Sequence, residues 1–337
     1  MRSLISKIAE FFVGKIARTK FSYLEEIFDR KTKDTALKWT LLLPGTGCAW
    51  ARKHGGCYMC GFKVKIDQVQ KERPASHKRL LSIFRFGKLT TINSSPDNLT
   101  IYNGGSFFNE EEIPIETQLE ICRQVAKHPT IKKLVVESRP EFVTESRIKS
   151  LTSILGGKTL EVGIGLECVN DEIRTRCIHK GFLKRDYEEA AGILKRNGAE
   201  LLTYVFLKPI FLTEREAVEE AVATIKYAFG VNSDEVAIES AFIQKGTKME
   251  ALYSRGEYKP PWLWSIIEVV RKTYHLGPVR IGGFEDEPPP IDIPRNCPKC
   301  SPLVMKLFKE YKRTGDVKLF DGLDCECKEI WEQDLSK

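Results

Sequence analysis

The amino-acid sequence predicts an α/β protein built as a partial or full (β/α) barrel. Short apolar runs alternate with helical patterns along most of the chain. This alternation is typical of a parallel sheet that is covered by helices. The chain has 337 residues, of which 42% are hydrophobic, and this is enough for one large domain with a small appendage.

The elements alternate in a regular order. The predicted strands are residues 39–43, 99–103, 133–137, 160–166, 201–207, 235–240 and 279–281. The predicted helices are residues 116–127, 145–155, 186–197, 214–229 and 261–274. Thr213 and Glu216 form a predicted capping box at the start of the fourth helix, and Gly198 is a predicted C-cap of the third.

Three regions are expected. Residues 1–37 are predicted to be an N-terminal helical segment, 38–287 the barrel, and 288–337 a small cysteine-rich, metal-binding appendage that follows a proline run. Within residues 1–20, apolar side chains at helical spacing are interrupted by Lys7, Glu10 and Lys15. This pattern predicts an amphipathic helix rather than a signal peptide or a membrane span.

A glycine-rich loop after the first predicted strand contains Cys48, Cys57 and Cys60. Iron–sulfur cubes normally take four cysteines, whereas three protein ligands leave one metal position open for a substrate or cofactor. The alternatives are a structural zinc site, with His54 as the nearest further ligand, and three buried free cysteines. The clustering of the thiols among glycines favours the open metal cluster.

The ends of the other predicted strands carry glycines and ionisable residues. Chemistry in barrels lies at the C-terminal ends of the strands, so these residues are expected to meet on one face. Each also has a plain structural explanation as a turn, a surface ion pair or a loop. The residues at these ends include Gly104, Gly105, Ser106, Glu137, Arg139, Glu167, Lys208 and Glu239.

A second cysteine group lies near the C-terminus. Cys297 and Cys300 form one close pair and Cys325 and Cys327 another. Two pairs of thiolates are typical of a tetrahedral site, and zinc is the favoured metal. An auxiliary iron–sulfur cluster and disulfides are the alternatives. Residues 303–313 between the pairs are predicted to form a helix, followed by a short strand-like piece.

The charge of the chain permits nucleic-acid binding. The net charge is +7 and the pI about 8.8. Basic runs at residues 63–88 and 306–313 suit a polyanion, although such runs are often only solvated surfaces. Ten cysteines with metal-site clustering and no secretory signal predict a reducing, cytoplasmic compartment, and no run is long enough to cross a bilayer.

The three-cysteine loop and the strand ends resemble the radical S-adenosylmethionine (SAM) superfamily, although the spacing here is C-x8-C-x2-C instead of C-x3-C-x2-C. The longer gap, Gly104-Gly105 with a following hydroxyl, and residues 137–140 resemble the Elp3-like branch. A narrower resemblance, over about residues 38–330, is to the archaeosine-forming radical SAM proteins. It rests on residues 55–62, 102–108, 165–167, 179–182 and 297–300.

The resemblance implies a radical SAM barrel and a set of cofactor ligands. Cys48, Cys57 and Cys60 would hold a [4Fe–4S] cluster, with SAM on the fourth iron. The contacts to SAM implied for the strand ends involve Gly104, Gly105, Ser106, Glu137, Arg139 and Glu167.

The resemblance also implies a lyase-type reaction on tRNA. The lysine C–N bond of a lysine-modified 7-deazaguanine would be cleaved to form archaeosine. The implied partners are tRNA, the lysine-transferring archaeosine synthase subunit and an electron donor. Another Elp3-like radical reaction on tRNA, and a non-catalytic zinc-containing nucleic-acid-binding protein, remain the alternatives.

Overall fold

The computed structural model describes residues 21–29, 31–62, 75–284 and 289–337. Eight strands form one sheet whose spatial order follows the chain. The first two pair antiparallel, and every later neighbouring pair is parallel. The strands are β1 (Ser22–Asp29), β2 (Asp34–Leu42), β3 (Asn98–Tyr102), β4 (Lys133–Glu137), β5 (Thr159–Glu167), β6 (Glu200–Leu207), β7 (Glu235–Ser240) and β8 (Val279–Ile281). The predicted α/β partial barrel is confirmed.

Helices follow most of the strands and cover the outside of the sheet. They are α1 (Ala49–His54), α2 (His77–Leu89), α3 (Ile115–Ala126), α4 (Glu145–Leu155), α5 (Lys184–Arg196), α6 (Glu214–Gly230), α7 (Lys248–Ser254), α8 (Leu263–Thr273), α9 (Ser301–Thr314) and α10 (Cys327–Leu335). A single helical turn, Asp171–Ile173, continues into a π-helical turn, Arg174–Ile178. Among the described helices, none has the length and apolar character needed to span a membrane.

The predicted elements agree with the structure to within a few residues, except where β2 begins earlier. Thr213 and Glu216 form the predicted capping box of α6. Gly198, with a φ of 69°, follows the C-cap of α5. Helices α1, α2, α7 and α10 were not predicted from the sequence. The strand-like piece expected after α9 is instead a 3-10 helix, Val317–Phe320, because Asp316 caps its first turn through the backbone N–H of Lys318.

The prediction of a helical segment over residues 1–37 is wrong for its described part. Ser22–Asp29 is a strand that forms a hairpin with β2. Tertiary contacts fix it: the buried hydroxyl of Ser22 accepts a 2.9 Å hydrogen bond from the indole N–H of Trp39. Local helical spacing is a weak signal when a partner strand is available. The amphipathic helix expected at residues 1–20, and residues 63–74 of the basic run, lie outside the described residues.

A network of ion pairs fills the barrel at the N-terminal ends of its strands. Lys133 Nζ lies 2.7 Å from Glu161 and 2.6 Å from Glu200. Arg280 lies 2.6 Å from Glu235 and 3.6 Å from Glu161. Buried charges are costly unless they are paired, and here each carboxylate shares a cation with a neighbour. Polar side chains therefore occupy this end, and the loops after the strands form the opposite end.

Helix α9 bridges the two edge strands of the sheet. Tyr311 Oη donates a 2.8 Å hydrogen bond to the carbonyl of Val279 in β8. Lys312 Nζ lies 2.6 Å from Glu25 in β1, and Lys38 Nζ lies 2.5 Å from the same carboxylate. No pairing joins β8 to β1 among the described strands, so α9 covers the opening that the sheet leaves.

Candidate functional site at the C-terminal ends of the strands

The three-cysteine loop begins directly after β2 and is held by a buried carboxylate. Glu112 is fully buried, and its two oxygens accept hydrogen bonds from two different backbone segments. Oε1 accepts from the N–H of Ala49 at 2.9 Å, and Oε2 accepts from the N–H of Ser106 at 2.5 Å. Asn109 Nδ2 also donates to Oε1 at 3.0 Å. Glu112 thus joins the start of α1, next to Cys48, to the loop after β3.

Glycine is required where these two loops meet. A Cβ on Gly105 would overlap Glu112 Oε2 and would lie 3.0 Å from the Cα of Cys48. Gly104 has a φ of 67°, a conformation that glycine adopts readily. The Gly104-Gly105 pair therefore lets the β3 loop approach the cysteine loop closely.

The three thiols of the loop influence one another. Burial, together with the neighbouring Cys57 and Cys48 thiols, raises the pKa of the Cys60 thiol to about 12. Burial also raises the pKa of Cys57. Such thiols resist ionisation on their own, but a bound metal deprotonates coordinating thiols outright. The donor set therefore fits a site whose thiolates form when metal binds.

The spacing of the three sulfurs differs from that of a single-ion site. In the part of the chain that the structure describes, the only group of three or more potential ligands within 4.8 Å of one another is the C-terminal cysteine set. One ion would hold sulfurs at most about 4.6 Å apart, given Zn–S bonds of about 2.3 Å. A multi-iron cluster binds each thiolate at a different iron and does not need the sulfurs to be this close, whereas a single zinc ion does.

An ion pair lies beside the cysteine loop. Lys180 Nζ donates a 2.6 Å hydrogen bond to Glu167 Oε1. Glu167 is buried at the end of β5 with a φ of 64°, a strained conformation for a residue with a side chain. A Cβ on Gly165 would overlap both partners. The residue before Lys180, His179, donates a 2.8 Å hydrogen bond from Nδ1 to the carbonyl of Gly56, which precedes Cys57, so the ion pair lies near the cysteine loop.

Arg139 connects the β4 end to the same region. Its guanidinium lies 5.1 Å from the ring centroid of Trp50 and 5.4 Å from that of Phe182. Its Nη1 donates a 2.8 Å hydrogen bond to the carbonyl of Lys180, and its Nε donates one of 2.5 Å to Glu141. The alternative of a surface ion pair with Glu137 is wrong, because Arg139 is buried and pairs with Glu141.

The loop after the π-helical turn packs on the cysteine loop. Trp50 Nε1 donates a 2.8 Å hydrogen bond to the carbonyl of His179, and a Cβ on Gly181 would overlap the Trp50 ring. The Tyr58 N–H donates to the carbonyl of Ile178 at 2.9 Å. The His179-Lys180-Gly181 run therefore supports the loop from one side, while Glu112 supports it from another.

Two further carboxylates face the interior of the barrel above the ion-pair network. Burial raises the pKa of Glu137 to about 7, and Glu167 adds to the increase while Lys180 opposes it. Burial, together with the charges of Glu167 and Glu137, raises the pKa of Glu239 to about 8. Raised pKa values of this kind are common at functional sites, and both residues lie at the end where barrel chemistry occurs.

The structure brings several of the predicted site residues together. Cys57, Arg139 and Glu167 come together around Lys180, and Gly105 lies against Cys48. Ser106 instead has a structural contact, since its buried hydroxyl accepts a 3.1 Å hydrogen bond from the N–H of Arg139. Glu112 and Lys180 were not predicted as site residues, although Lys180 lies within residues 179–182, which carry part of the family resemblance. Glu112 lies in a run of three glutamates, and nothing in the sequence distinguishes its buried carboxylate from those of its neighbours.

The C-terminal cysteines form a compact tetrahedral set. The sulfur of Cys297 lies 3.7 Å from that of Cys300 and 3.5 Å from that of Cys325, and Cys300 lies 3.6 Å from Cys327. Thiolates on one tetrahedral zinc would be about 3.8 Å apart. Trp264 Nε1 donates a 3.4 Å hydrogen bond to the Cys327 sulfur. This geometry fits one metal ion, and all four residues are free cysteines.

Comparisons with known proteins identify the family to which this chain belongs. No family model matches the chain. Archaeosine synthase subunit beta of Methanosarcina acetivorans is 34% identical over 305 residues, which cover 88% of this chain and 84% of that protein. The chain belongs to the archaeosine synthase subunit beta family. Another member, from Thermococcus kodakarensis, is 33% identical and covers 87% of this chain and 90% of its own length.

A solved structure shares the fold of this family member. The archaeal Elp3 of Methanocaldococcus infernus, with an N-terminal deletion, superposes with a TM-score of 0.51 at 17% sequence identity. The match covers 83% of this chain and 65% of the Elp3 chain, so the chain spans just under two thirds of that protein. The resemblance to the archaeosine-forming group and to the Elp3-like barrel is confirmed.

Proposed function

We propose that this chain is a radical SAM enzyme that forms archaeosine in tRNA by cleaving the lysine C–N bond of a lysine-modified 7-deazaguanine. Family membership supports archaeosine formation. The observation that carries the proposal is that Lys180, Glu167 and Arg139 meet at the C-terminal ends of the strands, while His179, next to Lys180, hydrogen-bonds to the carbonyl of Gly56, next to Cys57. Thiols and charged groups that could hold a cluster and a zwitterionic cofactor thus lie together.

The cysteine loop would hold a [4Fe–4S] cluster through Cys48, Cys57 and Cys60. With SAM bound, the cluster supplies a carbon-centred radical for hydrogen abstraction, and the protein positions the reactants. Because Gly105 has no side chain, the β3 loop lies against Cys48, where its backbone would meet the amino group of SAM. Glu112, which hydrogen-bonds to both loops, would fix their relative position.

The neighbouring charges would orient SAM. Arg139 is buried and cationic, so it would pair with the methionyl carboxylate. Glu167 would accept hydrogen bonds from the ribose hydroxyls while Lys180 holds its carboxylate in place. Glu137, the last residue of β4, would contact the bound cofactor or substrate. Each assignment rests on the family resemblance and is supported by the charge of the side chain and by its position at the end of its strand.

The four C-terminal cysteines would bind a structural metal, most favourably zinc. Cys300 and Cys327 are buried in the same apolar core as residues of α8, such as Leu263 and Ile267. A metal there would fix α9 and α10 against the barrel, and α9 covers the gap between β8 and β1. Binding energy at such a site acts as folding energy.

The partners follow from the substrate and the family. The chain carries a net charge of +7, which favours a polyanion such as tRNA. A lysine-transferring archaeosine synthase subunit would prepare the modified base, and an electron donor would reduce the cluster. The cytoplasm, where tRNA is modified, is the proposed location of the protein. The target base must leave the folded tRNA core to reach the barrel interior.

The test is a reaction under anaerobic conditions with dithionite and SAM. Lysine-modified tRNA should give archaeosine in digested RNA, detected by mass spectrometry. The same modified base without RNA is the matched control. If the free base reacts equally well and tRNA neither binds nor competes, the tRNA assignment is wrong. A different modified nucleoside would instead indicate another Elp3-like reaction, and no reaction with intact tRNA binding would favour a binding protein.

A further inference from the structure

An exposed aromatic ring lies at the end of β6 on a strained backbone. Phe211 follows the strand in the loop that leads to α6, and its side chain is 62% exposed. Its φ is 72°, in the left-handed region that residues with a β-carbon rarely adopt. Such strain persists only when the surrounding structure enforces it, and it is concentrated at functional sites.

The loop is fixed from the side opposite to the exposed ring. Lys208, which also has a positive φ of 70°, forms an ion pair with buried Glu214. Tyr258 Oη donates a 2.6 Å hydrogen bond to the carbonyl of Lys208. Glu214 also accepts hydrogen bonds from the N–H of Trp262 at 2.9 Å and from Ser265 Oγ at 2.5 Å. These buried contacts hold the loop in the conformation that turns Phe211 to solvent.

Phe211 is one end of a row of rings and cations that leads to the cysteine loop. Lys248 Nζ lies 5.7 Å from the centroid of the Phe211 ring and 3.9 Å from that of Tyr58. Tyr58 stacks on His179 with centroids 5.1 Å apart and planes 8° from parallel. Tyr58 belongs to the loop between Cys57 and Cys60. The row therefore joins an exposed ring to the candidate cluster site.

We propose that Phe211 and Lys248 bind an unstacked nucleotide of the RNA substrate at the mouth of the barrel. The proposal rests on the proposed function and deepens it by assigning an RNA-contacting surface. Proteins recognise single-stranded RNA by stacking bases on aromatic side chains and by binding phosphates with cations. An exposed ring beside an exposed ammonium offers both contacts to one nucleotide, which would lie next to the nucleotide that reacts.

The decisive variant is Phe211→Gly. Glycine adopts a positive φ readily, so this change removes the ring and relieves the strained backbone. We expect tRNA binding to weaken about tenfold, within the range observed for the loss of one stacked base, while thermal stability stays equal or rises. Phe211→Tyr keeps a stacking ring and should bind tRNA like the wild type. Lys248→Ala should weaken binding and lower its salt dependence.

Two control variants separate this surface from general effects. Ile92→Ala shortens another exposed apolar side chain, 66% exposed, in the loop before β3 at the opposite end of the barrel. Lys149→Ala removes an exposed lysine from the outside of α4. Both should bind tRNA like the wild type. Binding is measured by titration of labelled tRNA at several salt concentrations.

Each outcome is decisive. Loss of tRNA binding in Phe211→Gly, with retention in Phe211→Tyr and both controls, supports the proposal. Equal binding of wild type and Phe211→Gly overturns it, as does weaker binding that follows a fall in thermal stability. Impaired association with the partner subunit, with unchanged tRNA binding, would make Phe211 a protein contact instead. A wild type that binds tRNA but cleaves no SAM would contradict the proposed function and leave this surface standing.

Discussion

The carboxylate of Glu112 accepts a 2.9 Å hydrogen bond from the backbone N–H of Ala49, the residue after Cys48. The second oxygen of the same carboxylate accepts from the N–H of Ser106. Two loops that are far apart in sequence thus share one buried acceptor. Since each oxygen satisfies a separate backbone donor, the position of the first candidate cluster ligand depends on a residue that was not recognised from its sequence.

Glu112→Gln should therefore disturb the cysteine loop. The amide presents an NH₂ group to one of the two backbone donors and leaves that donor unsatisfied, at a cost of about 1–3 kcal/mol in the free energy of unfolding. Denaturant unfolding and iron content per chain after anaerobic reconstitution measure the effect. Glu189→Gln, at an exposed position of α5, is the control. Equal stability and iron content in the two variants would show that the Glu112 carboxylate does not hold the cysteine loop in place.

Replacement of Cys48, Cys57 and Cys60 by alanine should abolish SAM cleavage. The protein would lose every thiolate that can hold the cluster, while the C-terminal cysteines remain intact. Production of 5′-deoxyadenosine should fall to background, and zinc content and circular dichroism should be unchanged. The matched control is Cys122→Ala, which removes a buried cysteine of α3. Continued 5′-deoxyadenosine production by the triple variant would rule out the proposed ligands.

Cys300→Ser should release the C-terminal metal and lower thermal stability. The Cys300 sulfur lies within 3.7 Å of the sulfurs of Cys297 and Cys327, so its loss breaks the tetrahedral set. A decrease of several degrees in Tm is expected, because metal binding contributes to folding here. Metal analysis of anaerobically purified protein identifies the ion. Wild-type protein with additional iron and no zinc would favour an auxiliary cluster over a zinc site.

Glu137→Gln should change the pH dependence of stability. Burial raises the pKa of this carboxyl from 4.5 to about 7, so the folded protein retains the proton longer than the unfolded chain. The favourable contribution of Glu137 is complete below pH about 4.5 and is lost as the pH rises through about 7. The glutamine variant should therefore gain stability relative to the wild type between pH 5 and 8, by up to about 3 kcal/mol.

Urea unfolding at pH 5 and pH 8 measures this difference. Glu219→Gln, at an exposed position of α6, is the control and should show little change with pH. A Glu137 variant whose stability relative to the wild type is the same at both pH values would mean that this carboxyl is already ionised at pH 5 in the folded protein.

The alternation of strands and helices was predicted more accurately from the sequence than the first strand, β1, and the helix α2. Strands such as Lys133–Glu137 and Glu235–Ser240 were recognised to the residue, because buried parallel strands are short apolar runs. Strand β1 was missed because its sequence, SYLEEIFD, contains several polar residues and its pairing partner lies in β2. Helix α2 was hidden for a related reason, since its basic residues dominated a pattern whose buried members are Leu80, Leu81 and Phe84.

Site prediction succeeded for residue types with distinctive chemistry. The C-terminal cysteines were recognised from their pairing, and the structure brings their sulfurs together. Glu112 and Lys180 were not recognised because ordinary charged residues become informative only through the partners that the fold provides. Phe211 also gave no sequence signal, since its exposure and positive φ are properties of the folded loop.

The most direct test of the central claim measures two products in one reaction. Reduced protein, SAM and lysine-modified tRNA are mixed anaerobically, and 5′-deoxyadenosine and archaeosine are quantified from the same samples over time. The account predicts that both products rise together and that neither forms without SAM or with the triple cysteine variant. Archaeosine formed without 5′-deoxyadenosine, or neither product in a sample with a fully reconstituted cluster, would contradict it.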